Sequence, residues 1–356
     1  MQKWFEFCLR RACSFNNYEV AVVKKRFPRD IADMRRKAQV RITPDQAFQN
    51  ILDFLEFRFT YHTRDQWRQA IYEGRILHNG ECPAPECELQ AGDSVEYLMP
   101  DVDEPSVNSQ YTLLLSDFPV LALGKPPDLP VHPAGRYFHN TLWALLRNSG
   151  YGNIRFVNRL DRETSGVVLV ALTKSGAREC GKQLQAQRIL KQYMVLVEGI
   201  FPDELTAEGW LEPDVDSAVK KKVRFKASCG SSVSESKKAV THFRRITAAS
   251  AAGYSLVEAL PETGRYHQIR ATLLGLGFPV VGDKLYGKDE TAFLRFREGC
   301  LTREDEERLR LSRQALHAAR ISFNHPVHGQ RLQVHAPLPP DMRNVLDFSI
   351  ENEHHW

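Results

Sequence analysis

The stretch Asn158-Arg159-Leu160-Asp161-Arg162-Glu163-Thr164-Ser165-Gly166 sets one aspartate between two arginines and follows it with a small polar turn. Val167-Val168-Leu169-Val170-Ala171-Leu172 comes next, an unbroken apolar run. A run of that length bounded by turn residues predicts a buried strand. Asp161 is then expected at the lip of a core strand, where a carboxylate must be used or paired. Over a hundred residues later, Arg270 leads into an apolar helical run with Ala271, Leu273, Leu274 and Leu276. An arginine placed there would be buried and needs an acidic partner. Asp161 is the natural candidate, which leaves Arg159 free and Arg162 without a role.

Outward from this motif the chain of 356 residues reads as two domains with flanking segments. Residues 1–40 carry a net charge of +6 against +4 for the whole chain, so the remainder is net −2. Such a basic arm suits phosphates. Residues 41–98 form a small mixed unit, 99–110 a linker rich in Pro and acid, 111–345 a large domain of alternating strands and helices, and 346–356 a tail. No apolar stretch approaches the ~20 residues of a membrane helix, and Met1 to Arg11 has no signal-peptide core. The seven cysteines are scattered without a Cys-x-x-Cys pair, which argues against a disulfide framework or a zinc site and for a reducing cytoplasm. The histidines lack metal-ligand spacing, and no glycine-rich phosphate loop is present. Neither metal nor cofactor is expected, and a monomer is.

Within 41–98, Ile51, Leu52, Leu55 and Phe59 have helical spacing, and a second helix is expected from Arg64 to Glu73. Asn79-Gly80 is a hairpin signal. The ordered set Ala70-Ile71, Gly74, Ile76, Asn79-Gly80, Gly92-Asp93 and Val95 resembles the S4 RNA-binding domain. That resemblance implies an RNA-binding module with Arg64, Arg68 and Arg75 facing phosphates.

The larger domain carries a longer ordered set. Lys125-Pro126 with Pro130-Val131-His132-Pro133 is followed by Arg159-Leu160-Asp161 through Gly166, then Lys191-Gln192-Tyr193 and Lys238-Ala239-Val240-Thr241. Thr263-Gly264-Arg265 with His267-Gln268-Ile269-Arg270 comes next, then Gly282-Asp283 with Tyr286-Gly287, and Leu316-His317-Ala318. Across residues 111–340 this order resembles the RluA-type RNA pseudouridine synthases. The chain departs from the family pattern at Asn158 and Thr272, where histidine is usual, and in the long charged stretch 288–313, expected to form a solvated helix.

The resemblance implies an α+β protein: a catalytic domain built on a mixed, mostly antiparallel sheet flanked by helices and loops, with the S4-like α/β module in front. It implies isomerisation of uridine to pseudouridine in structured RNA, large-subunit ribosomal RNA first and tRNA as the alternative. Asp161 would attack C1′ or take a proton from C2′. Arg270 would keep it charged, and Tyr193 would stack under the uracil, its hydroxyl serving late proton removal from C5. Ile269 would complete the slot. Arg159 would fill the space of the flipped base, and Arg265, His267 and Lys125 would join the RNA-contacting set. The basic run Lys220 to Lys226, with Arg224 and Phe225, offers a wider footprint. Two other readings are a catalytically retired RNA-binding or ribosome-assembly factor, and a glycoside hydrolase, which needs a second carboxylate about 5–10 Å from Asp161. Glu163, two residues on in a turn, is expected to point elsewhere.

Overall fold

A computed structural model describes residues 36–47, 49–59, 62–100, 103–227, 236–249 and 253–345. Most of the basic arm, the segment around Cys229 and the tail 346–356 lie outside them. The chain divides into a smaller unit, residues 26–106 with 133–140, and a larger one holding residues 107–132 and everything from Thr141 on. The inclusion of 133–140 in the smaller unit has no counterpart in the sequence division, because nothing in that short Pro/Gly-bearing loop marks it locally.

The smaller unit runs β1 (Lys37–Arg41), α1 (Ile51–Arg58), α2 (Arg64–Tyr72), β2 (Ile76–His78) and β3 (Ser94–Leu98), with sheet order β1-β3-β2. Asn50 and Thr63 cap the two helices, Thr63 through a capping box with Gln66. Both helices bury one face around Trp67, which is fully enclosed with Phe54, Leu55 and Ile76. Asn79 and Gly80 both take positive φ, as a tight hairpin turn requires. The turn closes on a single bridge, His78 to Glu81, and β2 pairs with the later β3.

The larger unit contains β4 (Thr112–Asp117), β5 (Val120–Lys125), α3 (Leu142–Asn148), β6 (Arg155–Phe156), β7 (Ser165–Ala171), α4 (Lys174–Gln185), β8 (Leu190–Glu198), β9 (Glu204–Pro213), β10 (Val223–Lys226), β11 (Lys237–Ala249), β12 (Tyr254–Pro261), α5 (Gln268–Gly275), α6 (Thr291–Glu298), α7 (Arg303–Leu309), β13 (Leu316–Asn324), β14 (Arg331–His335) and α8 (Pro340–Val345). Its sheet is ordered β10-β9-β11-β12-β8-β13-β7-β5-β4, with β14 on β13 and β6 on β7. Only the β13–β7 pair among these is parallel. Every residue of β7 is buried, as the apolar run requires. Its parallel junction with β13 depends on Gly166: φ is +112°, and a Cβ there would lie 2.2 Å from the Ala318 carbonyl oxygen. Only glycine tolerates both demands.

The charged stretch is more than a solvated helix. It folds as α6 and α7, whose Arg295 and Arg308 converge on Asp289 and the buried Asp305.

Candidate active site

Asp161 stands on the turn between β6 and β7. Its carbonyl accepts from Thr164 N at 3.1 Å, and both sides of the turn are pinned. Asn158 reaches β7 through Nδ2 to the Val167 carbonyl (3.1 Å) and accepts from Leu169 N (2.8 Å). Ser165 Oγ meets His317 Nδ1 at 2.9 Å, while His317 Nε2 lies 3.1 Å from the Ala336 carbonyl. Since a carbonyl only accepts, Nε2 carries the proton and Nδ1 receives the serine hydroxyl.

The second half of the site comes from α5. Gln268 locks its entry, accepting from Arg265 N and Thr263 Oγ1 and donating to the Val240 carbonyl and Thr241 Oγ1. His267 precedes the helix with φ +54°. Arg270 Nη1 donates to Asp161 Oδ2 at 2.8 Å, and its Nε and Nη2 grip both oxygens of Asp283 at 2.6 and 2.8 Å. Its guanidinium also lies 4.8 Å from the Tyr286 ring centre. Asp283 is fully buried, and its Oδ1 further accepts from the amides of Leu285 and Tyr286. Arg270 is thus an arginine bridging two acids, with its bidentate fork on Asp283.

Burial works to raise the Asp161 pKa, but Arg270, His267 and the Gln314 amide (3.3 Å) together hold it below the ordinary carboxylate range. Asp283 is likewise low: Arg270 overcomes its burial. Burial pushes His267 down to about 4. Its Nδ1 is 3.0 Å from the Tyr286 hydroxyl, and its Nε2 is 3.7 Å from Asp161 Oδ2. Tyr193, on β8, has its pKa raised by burial and then by the Asp161 charge.

Asp161, Arg159, Tyr193, Arg265, His267, Ile269 and Arg270 line one open pocket. Arg159 is exposed, and its side chain makes no hydrogen bond or ion pair among the described residues. Lys125 is a correction. It is 2% exposed, and its Nζ donates to the carbonyls of Pro126, Leu129 and Arg162 at 2.8–2.9 Å. Burial lowers its pKa to about 7 although Asp161 opposes the shift. An amine so enclosed braces the motif from behind and cannot reach RNA. The basic run is mostly spent too: Lys222 pairs with Glu290, while Arg224 and Lys226 pair with Glu212. In the smaller unit, Arg64 pairs with Asp53 and Glu56, Arg68 with Asp65, and Arg75 with Glu73.

Glu163 faces away from the pocket. Both of its oxygens accept from Lys284 Nζ at 3.0 Å, and Oε2 also accepts from Gln314 N. It cannot act as the second carboxylate of a glycosidase. Arg162, without a role in the sequence, pairs with Asp128 and Glu163, and its guanidinium lies 5.2 Å from the Phe296 ring centre on α6. Sequence reasoning quoted Asp283 in a motif without giving it a role, and missed Gln314. A signal existed for Asp283, an acid directly after Val280-Val281-Gly282, but one arginine had already been matched with one acid.

Among the described residues, Asp117, His325 and His328 bring three donor atoms within 4.8 Å. The two imidazoles stack 3.7 Å apart at 9°, so their in-plane lone pairs run parallel and do not converge on one point. His325 Nδ1 accepts from Val327 N, which leaves the proton on Nε2, 3.8 Å from Asp117. The group is an Asp–His pair with a stacked neighbour and supplies no metal centre in this geometry.

An ionised aspartate held by a buried arginine, beside a tyrosine and an isoleucine in an open pocket on a mixed sheet, defines the pseudouridine synthase class. The model of the RNA pseudouridylate synthase family matches residues 119–274. The chain is 30% identical over 320 residues to the ribosomal large subunit pseudouridine synthase D of Xanthomonas campestris, covering 87% of this chain and 92% of that one. It is 31% identical over 245 residues to the mitochondrial tRNA pseudouridine(32) synthase of Saccharomyces cerevisiae, covering 67% and 51% respectively. The solved human RNA pseudouridylate synthase domain containing 1 superposes with a TM-score of 0.50 at 26% identity, over 66% of this chain and 86% of that one. The chain belongs to the RluA-type RNA pseudouridine synthase family and is an enzyme that isomerises uridine in RNA.

Proposed function

We propose that the substrate is structured large-subunit ribosomal RNA and that Asp161 carries the chemistry. The observation behind the second half is the 2.8 Å bond from Arg270 to Asp161, which keeps a pocket carboxylate ionised. Relatives matched over nearly their whole length, such as that of Xanthomonas campestris, are named for large-subunit RNA, whereas the tRNA enzyme matches over half of its own. This favours ribosomal RNA over tRNA.

The uridine leaves its stack at a cost of a few kcal/mol, and Arg159 takes its place. Asp161 then attacks C1′, or takes the C2′ proton so that the sugar becomes a glycal. Either route breaks the C1′–N1 bond. The uracil turns between Tyr193 and Ile269, and C5 joins C1′. With its pKa raised, Tyr193 is a neutral phenol, which suits stacking. It can take the C5 proton only after passing its own onward. Arg265 and His267 contact the RNA at the pocket rim. The smaller unit acts as an S4-like RNA-binding module, supported by its ordered helix–turn–strand motifs and by the Asn79–Asp93 bond of 2.9 Å that ties them.

Mapping pseudouridines in total RNA from a deletion strain and its parent tests the substrate: loss of a large-subunit site supports the reading, and loss confined to tRNA overturns it. Asp161→Asn is expected to abolish turnover while its RNA complex survives; full turnover by this variant would remove Asp161 from the mechanism.

A further inference from the structure

The smaller unit holds a cluster that uridine chemistry does not use. Cys87 Sγ lies 3.3 Å from His78 Nδ1, and His78 Nε2 lies 2.7 Å from Asp93 Oδ2. A carboxylate only accepts, so Nε2 carries the proton and Nδ1 turns its lone pair to the thiol. Asp93 is itself fixed. Its Oδ1 accepts from Asn79 Nδ2 at 2.9 Å and its Oδ2 from Gln90 N at 2.7 Å. These bonds, with that of His78, hold its carboxyl at about 2. The backbone places the sulfur as firmly: Cys87 N donates to the Ala84 carbonyl, and its carbonyl accepts from Ile51 N at the start of α1. The other sulfur contact is the Glu88 carbonyl at 3.8 Å.

We propose that Cys87 is a nucleophilic thiol, a modification site for small electrophiles, with His78 as its base and Asp93 orienting that base. The arrangement is the nucleophile–base–orienter chain by which thiols are activated. Cys87 is half-buried and reachable, unlike the buried Cys180, whose thiol burial pushes up to about 11. Cys82 and Cys300 are exposed, and among the described residues neither has an imidazole partner; Cys300 contacts a carbonyl and a carboxylate. They serve as internal controls. With iodoacetamide a sulfur–carbon bond forms, the carbon–iodine bond breaks, iodide leaves and the thiol proton passes to His78 Nδ1 and then to water. With hydrogen peroxide the sulfur is oxidised to the sulfenic acid, the O–O bond breaks and one water leaves.

The test is residue-resolved iodoacetamide labelling of the full chain, followed by mass spectrometry of its peptides. At pH 7, Cys87 is expected to react about tenfold faster than Cys82 and Cys300, and His78→Gln to bring it down to their rate. Equal rates in the unmodified chain overturn the proposal. If His78→Gln does not fold, Asp93→Asn decides. Cys87 labelling slowed to the rate of Cys82 supports the proposal, and labelling as fast as in the unmodified chain overturns it. The readout involves no uridine, so it stands apart from the synthase reading.

Discussion

At the residue scale the site rests on one guanidinium serving two acids. Arg270 and Asp283 are both buried and form four of their hydrogen bonds with each other or nearby amides, which is how such an ion pair survives without water. Removing one partner leaves the other charge stranded. Asp283→Ala is therefore expected to cost about 3–5 kcal/mol of stability, seen as a fall in thermal midpoint, and to lower activity further in any folded fraction because Arg270 loses its aim at Asp161. An unchanged midpoint would mean that Asp283 is dispensable to the site. The Asp161–Arg270 pair was legible in the sequence because a charge inside an apolar helix demands compensation. Asp283 was not, because local sequence does not say how many acids one arginine will hold.

At the element scale the decisive junction is β7 against β13. Local pattern predicted β7, which has a buried apolar run of its own. It did not predict that β13, from the far end of the chain, would insert between β7 and β8 and place Ala318 against both Gly166 and Tyr193. That contact lies in three-dimensional register, for which a single sequence has no term. Gly166→Ala would force a Cβ onto the Ala318 carbonyl and strain a positive φ. A loss of at least about 2 kcal/mol is expected, with slower turnover as the Asp161 turn shifts. Chemical denaturation of the variant measures the first, and a wild-type midpoint would show that the two strands part at no cost. The basic residues of β10 show the opposite failure: the charges of Arg224 and Lys226 were legible, but their carboxylate partner Glu212 on the neighbouring β9 was not.

At the scale of the whole molecule, the buried His317 and the largely enclosed His267 make folding sensitive to acid. His267 and His317 are both held at about 4 by burial, against about 6.5 in an unfolded chain. Between those values the unfolded state binds more protons. Their stabilisation is therefore complete above pH 6.5 and is lost as the pH falls toward 4, by about 1.4 kcal/mol per pH unit for each. His317→Gln is expected to flatten the fall in thermal midpoint over that window; an equally steep fall would clear His317 of the effect. In the proposed reaction the Asp161–Arg270–Asp283 chain has a consequence of its own. Two carboxylates against one guanidinium leave it with one net negative charge while Asp161 is ionised. Once Asp161 is esterified or protonated, that negative charge no longer faces the RNA polyanion. That is worth on the order of 1 kcal/mol, or several-fold in residence time. The enzyme would then hold its substrate most tightly midway through the reaction and loosen its grip when the carboxylate is restored. Slower dissociation of RNA from Asp161→Asn than from the native enzyme would register this timing, and equal off-rates would dismiss it.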